Sequence, residues 1–182
     1  MRRGLCALLL FALLALPAAA APRDARADEV AARLVTALGG AEAYAQARYF
    51  SFSFNGRRTH WWDRQTGRHR LEGTNREGQT YVVISNVNDA GKGPGSALLA
   101  GAEVSGEEKT KLLENAYGAW INDFYWLLVP FKLQDPGVTL TWDGEETVDG
   151  AVCDKLKMTF DQVGLTPGDT YWLLVDRASG LL

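Results

Sequence analysis

The 182-residue chain predicts an α+β domain in which a strongly curved antiparallel sheet, an incomplete β-barrel, wraps around one or two helices. Three observations predict it. Residues 49–54 alternate aromatic with small polar side chains, the period of a half-buried strand, and turn signals then follow at short intervals up to residue 78. Residues 28–38 and 105–127 instead repeat apolar side chains at helical spacing. Strand patterns then resume at residues 138–142, 152–160 and 170–175, so neighbouring strands outnumber helices and short turns favour antiparallel pairing.

The first helix is expected over residues 28–38, where Val30, Leu34 and Leu38 recur every fourth position and Gly39-Gly40 stop the run. A short helical turn is expected over 41–47. Tyr49-Phe50-Ser51-Phe52-Ser53-Phe54 then sets Phe50, Phe52 and Phe54 on one face of a strand. Asn55-Gly56 is a tight hairpin signal, Asp63-Arg64-Gln65-Thr66-Gly67 a longer turn, and residues 75–78 a third. These place strands at 57–63, 68–73 and 79–87, followed by an irregular Gly/Asn/Asp/Pro loop at 88–95. Ser105-Gly106-Glu107-Glu108 fits a capping box, and the helix it opens ends at Pro130. Asp176-Arg177-Ala178-Ser179-Gly180 repeats the turn chemistry of residues 63–67, and the sequence stops where another strand is expected, which reads as a C-terminal truncation.

The N-terminus reads as an export signal. Arg2 and Arg3 precede an apolar run from Leu5 to Leu16, and Ala18-Ala19-Ala20 fits the small-x-small cleavage rule, as Ala25-Arg26-Ala27 does further on. Residues 1–20 are therefore assigned to the signal, with a second candidate cut after residue 27, and residues 21–182 to a single domain. Cys6 lies inside the apolar run, badly placed for lipid attachment. Only Cys153 remains after processing, so no internal disulfide is available. The formal charge is −3 and becomes more negative once Arg2 and Arg3 are removed, which argues against a nucleic-acid binder. A periplasmic location fits best.

Residues 117–137 concentrate Tyr117, Trp120, Phe124, Tyr125, Trp126 and Phe131 in one short stretch. Such aromatic density suits either a large core or the wall of an apolar cavity. Trp120, Phe124, Trp126, Leu127 and Phe131 are the candidate lining residues, with Phe50, Phe52 and Phe54 opposite. His60 and His69 bracket the turn at 63–67, and with Asp63 they are the one acid–base set that can be drawn for a hydrolase. Strand parity sets Asp63 on the opposite face from His60, however, and partly exposed sheet histidines are the simpler expectation. Arg57, Arg58, Arg64, Arg68, Arg70 and Arg76 gather positive charge in the same meander, as a solvated face or a surface for anionic headgroups or a partner. Asp143, Glu145, Glu146, Asp149 and Asp154 surround an expected turn at residues 144–150 and read as a solvated tip. Cys153 reads as a buried strand residue. No nucleophile elbow, phosphate loop, dinucleotide fingerprint or metal-ligand spacing occurs, so no catalytic residue, metal or cofactor is assigned.

The export signal, the helix ending in Gly39-Gly40, the meander containing Trp62-Asp63-Arg64-Gln65-Thr66-Gly67 and the late hairpin at 171–180 resemble the LolA/LolB-like superfamily of periplasmic lipoprotein carriers. More closely, residues 120–128 (Trp-Ile-Asn-Asp-Phe-Tyr-Trp-Leu-Leu), 130–137 (Pro-Phe-Lys-Leu-Gln-Asp-Pro-Gly), Phe160-Asp161 and 163–169 resemble a family of exported bacterial proteins of unknown function with a similar layout. The resemblance implies a half-barrel cavity that holds lipid acyl chains without catalysis, and outer-membrane lipoprotein sorting as the setting. The partners it implies are a lipid or acylated lipoprotein and a membrane protein. The lack of a lipid-attachment cysteine disfavours the membrane-anchored acceptor type. The alternatives to a carrier are an exported structural or partner-binding protein with an aromatic core, and the hydrolase built on His60, Asp63 and His69.

Overall fold

The computed structural model describes residues 23–161 and 168–182. The expected signal segment at 1–20 and most of the 163–169 motif lie outside them. The described residues form an α+β fold with three α-helices and two separate antiparallel sheets, one of six strands and one of three.

Helix α1 (Ala25–Ala37) begins three residues before its expected start because Asp24 caps it. The Asp24 carboxylate accepts from the backbone N–H groups of Arg26 and Ala27 at 2.9 and 3.1 Å. Its second oxygen accepts from the Trp142 backbone N–H at 2.8 Å, so one side chain both starts the helix and pins it to the second sheet. Ala27, Val30, Ala31 and Leu34 form the buried face. Gly39 and Gly40, at φ +99° and +90°, turn the chain into α2 (Gly40–Gln46), a conformation open to glycine at little steric cost.

Strands β1 (Tyr49–Phe54), β2 (Arg58–Asp63), β3 (Arg68–Thr74) and β4 (Thr80–Asn86) follow the expected boundaries within one residue. The β1–β2 register pairs Phe50 with Trp62, Phe52 with His60 and Phe54 with Arg58, so all six share one face. Residues 90–95 are irregular, as expected, and regular structure flanks them. A 3₁₀ turn (Val87–Asp89) is capped by Asn86, and β5 (Ser96–Leu99) and β6 (Ala102–Glu103) extend the sheet in the order β1-β2-β3-β4-β5-β6. Those two strands are too short to register as a period in the sequence.

Helix α3 (Gly106–Leu128) follows, about 35 Å long at the usual rise. Ser105 occupies the N-cap position, yet its side chain makes no capping bond, contrary to the expected capping box. Gly106 enters the helix at φ +58°, which rotates the first turn away from the geometry the box requires. Pro130 stops the helix in a 3₁₀ turn (Val129–Phe131), as its missing N–H requires.

The second sheet contains β7 (Val138–Val148), β8 (Ala151–Phe160) and β9 (Thr170–Asp176) in that order. No strand pairing joins it to the first sheet among the described residues, so the expected single curved sheet is replaced by two. The chain leaves the first sheet through α3, and two cores result. One gathers Leu71, Val83, Ala97, Leu113 and Ala116 beneath α3; the other gathers Val30, Leu34, Leu133, Leu156, Met158 and Val175 between α1 and the second sheet. Helix α3 links them, since its distal Tyr125 and Trp126 meet Phe160 and Tyr171 at ring separations of 6.0 and 4.8 Å.

The expected turn at 144–150 is confined to the last two of those residues. Gly144 lies within β7 at a register shift between Trp142 and Glu145, and the reversal occurs at Asp149-Gly150, both at positive φ. Asp154 is consequently no part of a solvated tip. It is fully buried on β8, accepting from Arg177 at 2.7 and 3.1 Å, Arg33 at 2.6 Å, Arg26 at 3.4 Å and the Trp142 indole at 3.3 Å. Arg177 above all holds its carboxyl well below the usual carboxylate range. The neighbouring acids do lie outward, Glu145 on Arg177 and Glu146 on Lys155. The echo between residues 63–67 and 176–180 is a true repeat of turn geometry. In each, the glycine N–H donates to the aspartate carbonyl at 2.8 Å.

Asp154→Ala would leave three guanidinium groups without their shared acceptor. We expect it to destabilise the fold by about 3–5 kcal/mol in urea denaturation, because a buried ion pair is broken from one side. Glu146→Ala, at an exposed pair, should cost much less. Equal effects from the two substitutions would contradict the network.

Candidate functional site

Phe124, 3% exposed, is the centre of the aromatic surface between α3 and the first sheet. Trp62, Phe52, His60 and Phe50 surround it at ring separations of 4.8, 4.9, 5.4 and 6.2 Å, mostly edge-on. Trp120 closes the cluster against Trp62 at 5.2 Å. Of the eight candidate lining residues, Phe50, Phe52, Trp120 and Phe124 thus meet, and Phe54 lies at the margin under the Arg58 guanidinium. Trp126 and Leu127 are more exposed, and Trp126 leans on Tyr171. Phe131 stacks on Tyr44 at 4.1 Å, at a separate cleft of about 380 Å³ beside α1 and α2. Trp62 belongs to the cluster although the sequence pattern does not select it.

A carboxylate is buried within this surface. Asp123 sits on the sheet-facing side of α3, fully buried, where periodicity alone would place an apolar residue. Arg58 donates to both of its oxygens at 2.5 and 2.6 Å, His60 Nε2 lies 2.8 Å from Oδ2, and Asn122 donates at 2.8 Å. Burial alone would raise this carboxyl; the bonds from Arg58, Asn122 and His60 outweigh it and lower it instead. His60 Nδ1 in turn lies 3.0 Å from His69 Nε2. Burial lowers both imidazoles, His69 to about 3, with His60 adding to the effect at His69. With both rings neutral, the network assigns the tautomers: His60 donates to Asp123, and His69 donates to His60.

The histidines are therefore buried, 0% and 2% exposed, and not partly exposed as expected from the sequence. Nor does the drawn His60, Asp63 and His69 set assemble. Asp63 lies on the other face, bound to Arg48 at 2.8 and 3.0 Å, as strand parity requires. His69, held neutral down to about pH 3, is a weak proton acceptor, and the bonds that run from His69 through His60 to Asp123 form a polar strut between sheet and helix. Asp123 is the residue of this network that sequence reasoning missed. The available signal was an acid on the apolar face of an aromatic helix, which demands a buried partner.

Beside this strut lies a cleft of about 600 Å³ between α3 and the β3–β4 hairpin. Leu71, Val83, Leu112, Ala116 and Ala119 supply apolar wall, and Arg57, Arg58 and Arg76 supply charge at its rim. None of the eight candidate lining residues borders it. The cationic meander is thereby divided. Arg57, Arg58 and Arg76 reach this cleft, and Arg64 donates to the Tyr44 carbonyl. Arg68 and Arg70 occupy the uncovered sheet face with Trp61 and Ile84. No group of three histidine, cysteine or acidic side chains is placed to hold a metal, and no helix is long and apolar enough to cross a membrane, among the described residues. Cys153 is buried, as expected.

The arrangement defines an α+β domain with a helix-covered sheet, a buried polar strut and an adjoining amphipathic cleft. Comparison with protein-family models, curated proteins and solved structures finds no match to this chain.

The strut predicts a pH profile. The folded histidines stay neutral while unfolded ones take up protons near pH 6.5, so the unfolded state binds more protons below that value. Stability should fall as pH drops from 6.5 toward 5, by up to about 1.4 kcal/mol per unit from His69, with His60 adding in the same direction. Thermal unfolding at pH 7, 6 and 5 checks this, with His69→Gln expected to flatten the slope. A parent melting temperature unchanged between pH 7 and 5 would contradict a buried neutral pair.

Proposed function

We propose that this chain is an exported, non-enzymatic carrier that holds the apolar part of a lipid or acylated lipoprotein in the cleft beside α3. The single observation that carries the reading is that cleft, about 600 Å³ with a mixed polar and apolar lining between helix and sheet, a volume typical of small-ligand sites. Trp120 and Phe124, with Phe50 and Phe52, hold α3 against the sheet, and the ligand tail displaces water from the neighbouring cleft along Leu112 and Ala119. In this reading the six-stranded sheet plays the part of an incomplete barrel, with α3 laid across it, in keeping with the resemblance to LolA/LolB-like carriers. About ten buried methylenes at roughly 0.8 kcal/mol each reach the free energy of micromolar binding before ordering costs. Export to the periplasm is part of the proposal. A cut after Ala20 leaves Asp24 to cap α1, whereas one after Ala27 removes that cap and a fully buried side chain. The nested rings around Phe124 support a second reading, a partner-binding protein whose aromatics serve only as core.

Gly118 allows a direct test. It lies in α3 on the cleft, and a Cβ added there meets nothing within 4 Å. Gly118→Leu should project into the cleft and narrow it beside α3 and, by helix propensity, stabilise the fold by roughly 1 kcal/mol. Native mass spectrometry of the exported protein is expected to show an N-terminus at Ala21 and an extractable lipid adduct that Gly118→Leu lacks. A parent that carries no lipid and ignores added fatty acid would favour the partner-binding reading.

A further inference from the structure

The charge around the cleft beneath α3 is unbalanced. Among the described residues, Arg23, Arg26, Arg33, Arg48, Arg58, Arg70 and Arg177 each pair with a carboxylate. Arg57 and Arg76 make no such pair there, and both line this cleft, where Glu77 is the only acid. Asp123 already neutralises Arg58. The two unpaired guanidiniums are brought to the same end of the sheet by neighbouring hairpins, Arg57 just after the β1–β2 turn and Arg76 within the β3–β4 turn.

Both positions are held by backbone geometry. Asn75 Oδ1 accepts from the N–H groups of Glu77 and Gln79 at 3.1 and 2.8 Å, which fixes the turn that carries Arg76. On the cleft wall, Tyr81 reaches across Gly73. A Cβ at Gly73 would lie 2.5 Å from the Tyr81 hydroxyl and 2.9 Å from the Arg57 carbonyl, so the missing side chain leaves the phenol beside the Arg57 backbone. Asn115 and Asn122 contribute amide groups from α3. The cleft thus has a donor-rich cationic end at the hairpin tips and apolar wall along the helix, a pattern that suits an amphiphile better than a pure hydrocarbon.

Resting on the carrier reading, we propose that this cleft selects an amphiphile with an anionic head, carboxylate or phosphate, which Arg57 and Arg76 bind while the tail lies against Leu112, Ala116 and Ala119. Arg57 and Arg76 are exposed and carry no structural bond among the described residues, so glutamine at both positions should leave the fold intact.

The test measures binding of dodecanoate, dodecyl phosphate, dodecanol and inorganic phosphate to the lipid-stripped exported protein, below the micellar range. The expected result is that both anionic amphiphiles bind at least about ten-fold more tightly than dodecanol, with the difference abolished in the Arg57→Gln/Arg76→Gln variant at unchanged circular dichroism. Equal affinity for dodecanol and the anions would overturn the head-group assignment and leave the carrier reading standing. Inorganic phosphate binding as tightly as dodecyl phosphate would overturn the amphiphile, since the tail would then contribute nothing. If none of the amphiphiles binds, the carrier reading fails as well.

Discussion

A carboxylate buried on the apolar side of a helix constrains this fold more than any other group. Asp123 cannot remain ionised in that setting without partners, and its partners are Arg58 and His60 on β2, with His69 on β3 behind them. Helix α3 therefore has one rotation and one height on the sheet at which its buried charge is satisfied. Phe124 follows at the next position and enters the ring cluster in the only register that the strut permits. The cleft is a by-product of that docking. With Asp123 held over β2, the neighbouring small residues Ala116, Gly118 and Ala119 face the β3–β4 hairpin without filling the space between.

A second strut of the same chemistry orders the other half of the molecule. Asp154 collects Arg33 from α1, Arg177 from the turn after β9 and the Trp142 indole of β7. Buried ion pairs contribute little net stability compared with well-packed apolar residues, so their value here is in placement. Each holds a helix to a sheet at one defined position, while apolar burial in the two cores supplies the driving force. Helix α3 spans both halves, and the aromatic residues near its C-terminal end carry the contact with the second sheet.

Much of this architecture was legible in the sequence. Alternation and turn residues located β1 to β4 within a residue, and Gly39-Gly40 and Pro130 ended helices where their backbone chemistry requires. Strand parity separated His60 from Asp63 correctly. What failed depended on tertiary partners. Asp154 read as part of a solvated tip because its three arginines arrive from residues 26, 33 and 177, far apart in the chain. Asp123 carried a local anomaly but no indication of which strand would answer it. The division into two sheets was invisible because strand period says nothing about which edges pair. The aromatic run marked the helix–sheet contact, whereas the cleft beside it is built largely from small residues and hairpin tips, which have no distinctive pattern.

The proposed carrier role requires ligand to occupy the space between α3 and the β3–β4 hairpin. Photo-crosslinking with a diazirine-bearing fatty acid, followed by peptide mapping of the purified protein, addresses it most directly. Labels are expected on residues 112–122 of α3 and on the facing residues 71–83, at positions bordering the 600 Å³ cleft. Labels gathered instead on Trp126, Phe160 and Tyr171, or on Tyr44 and Phe131, would place the ligand elsewhere and contradict the account.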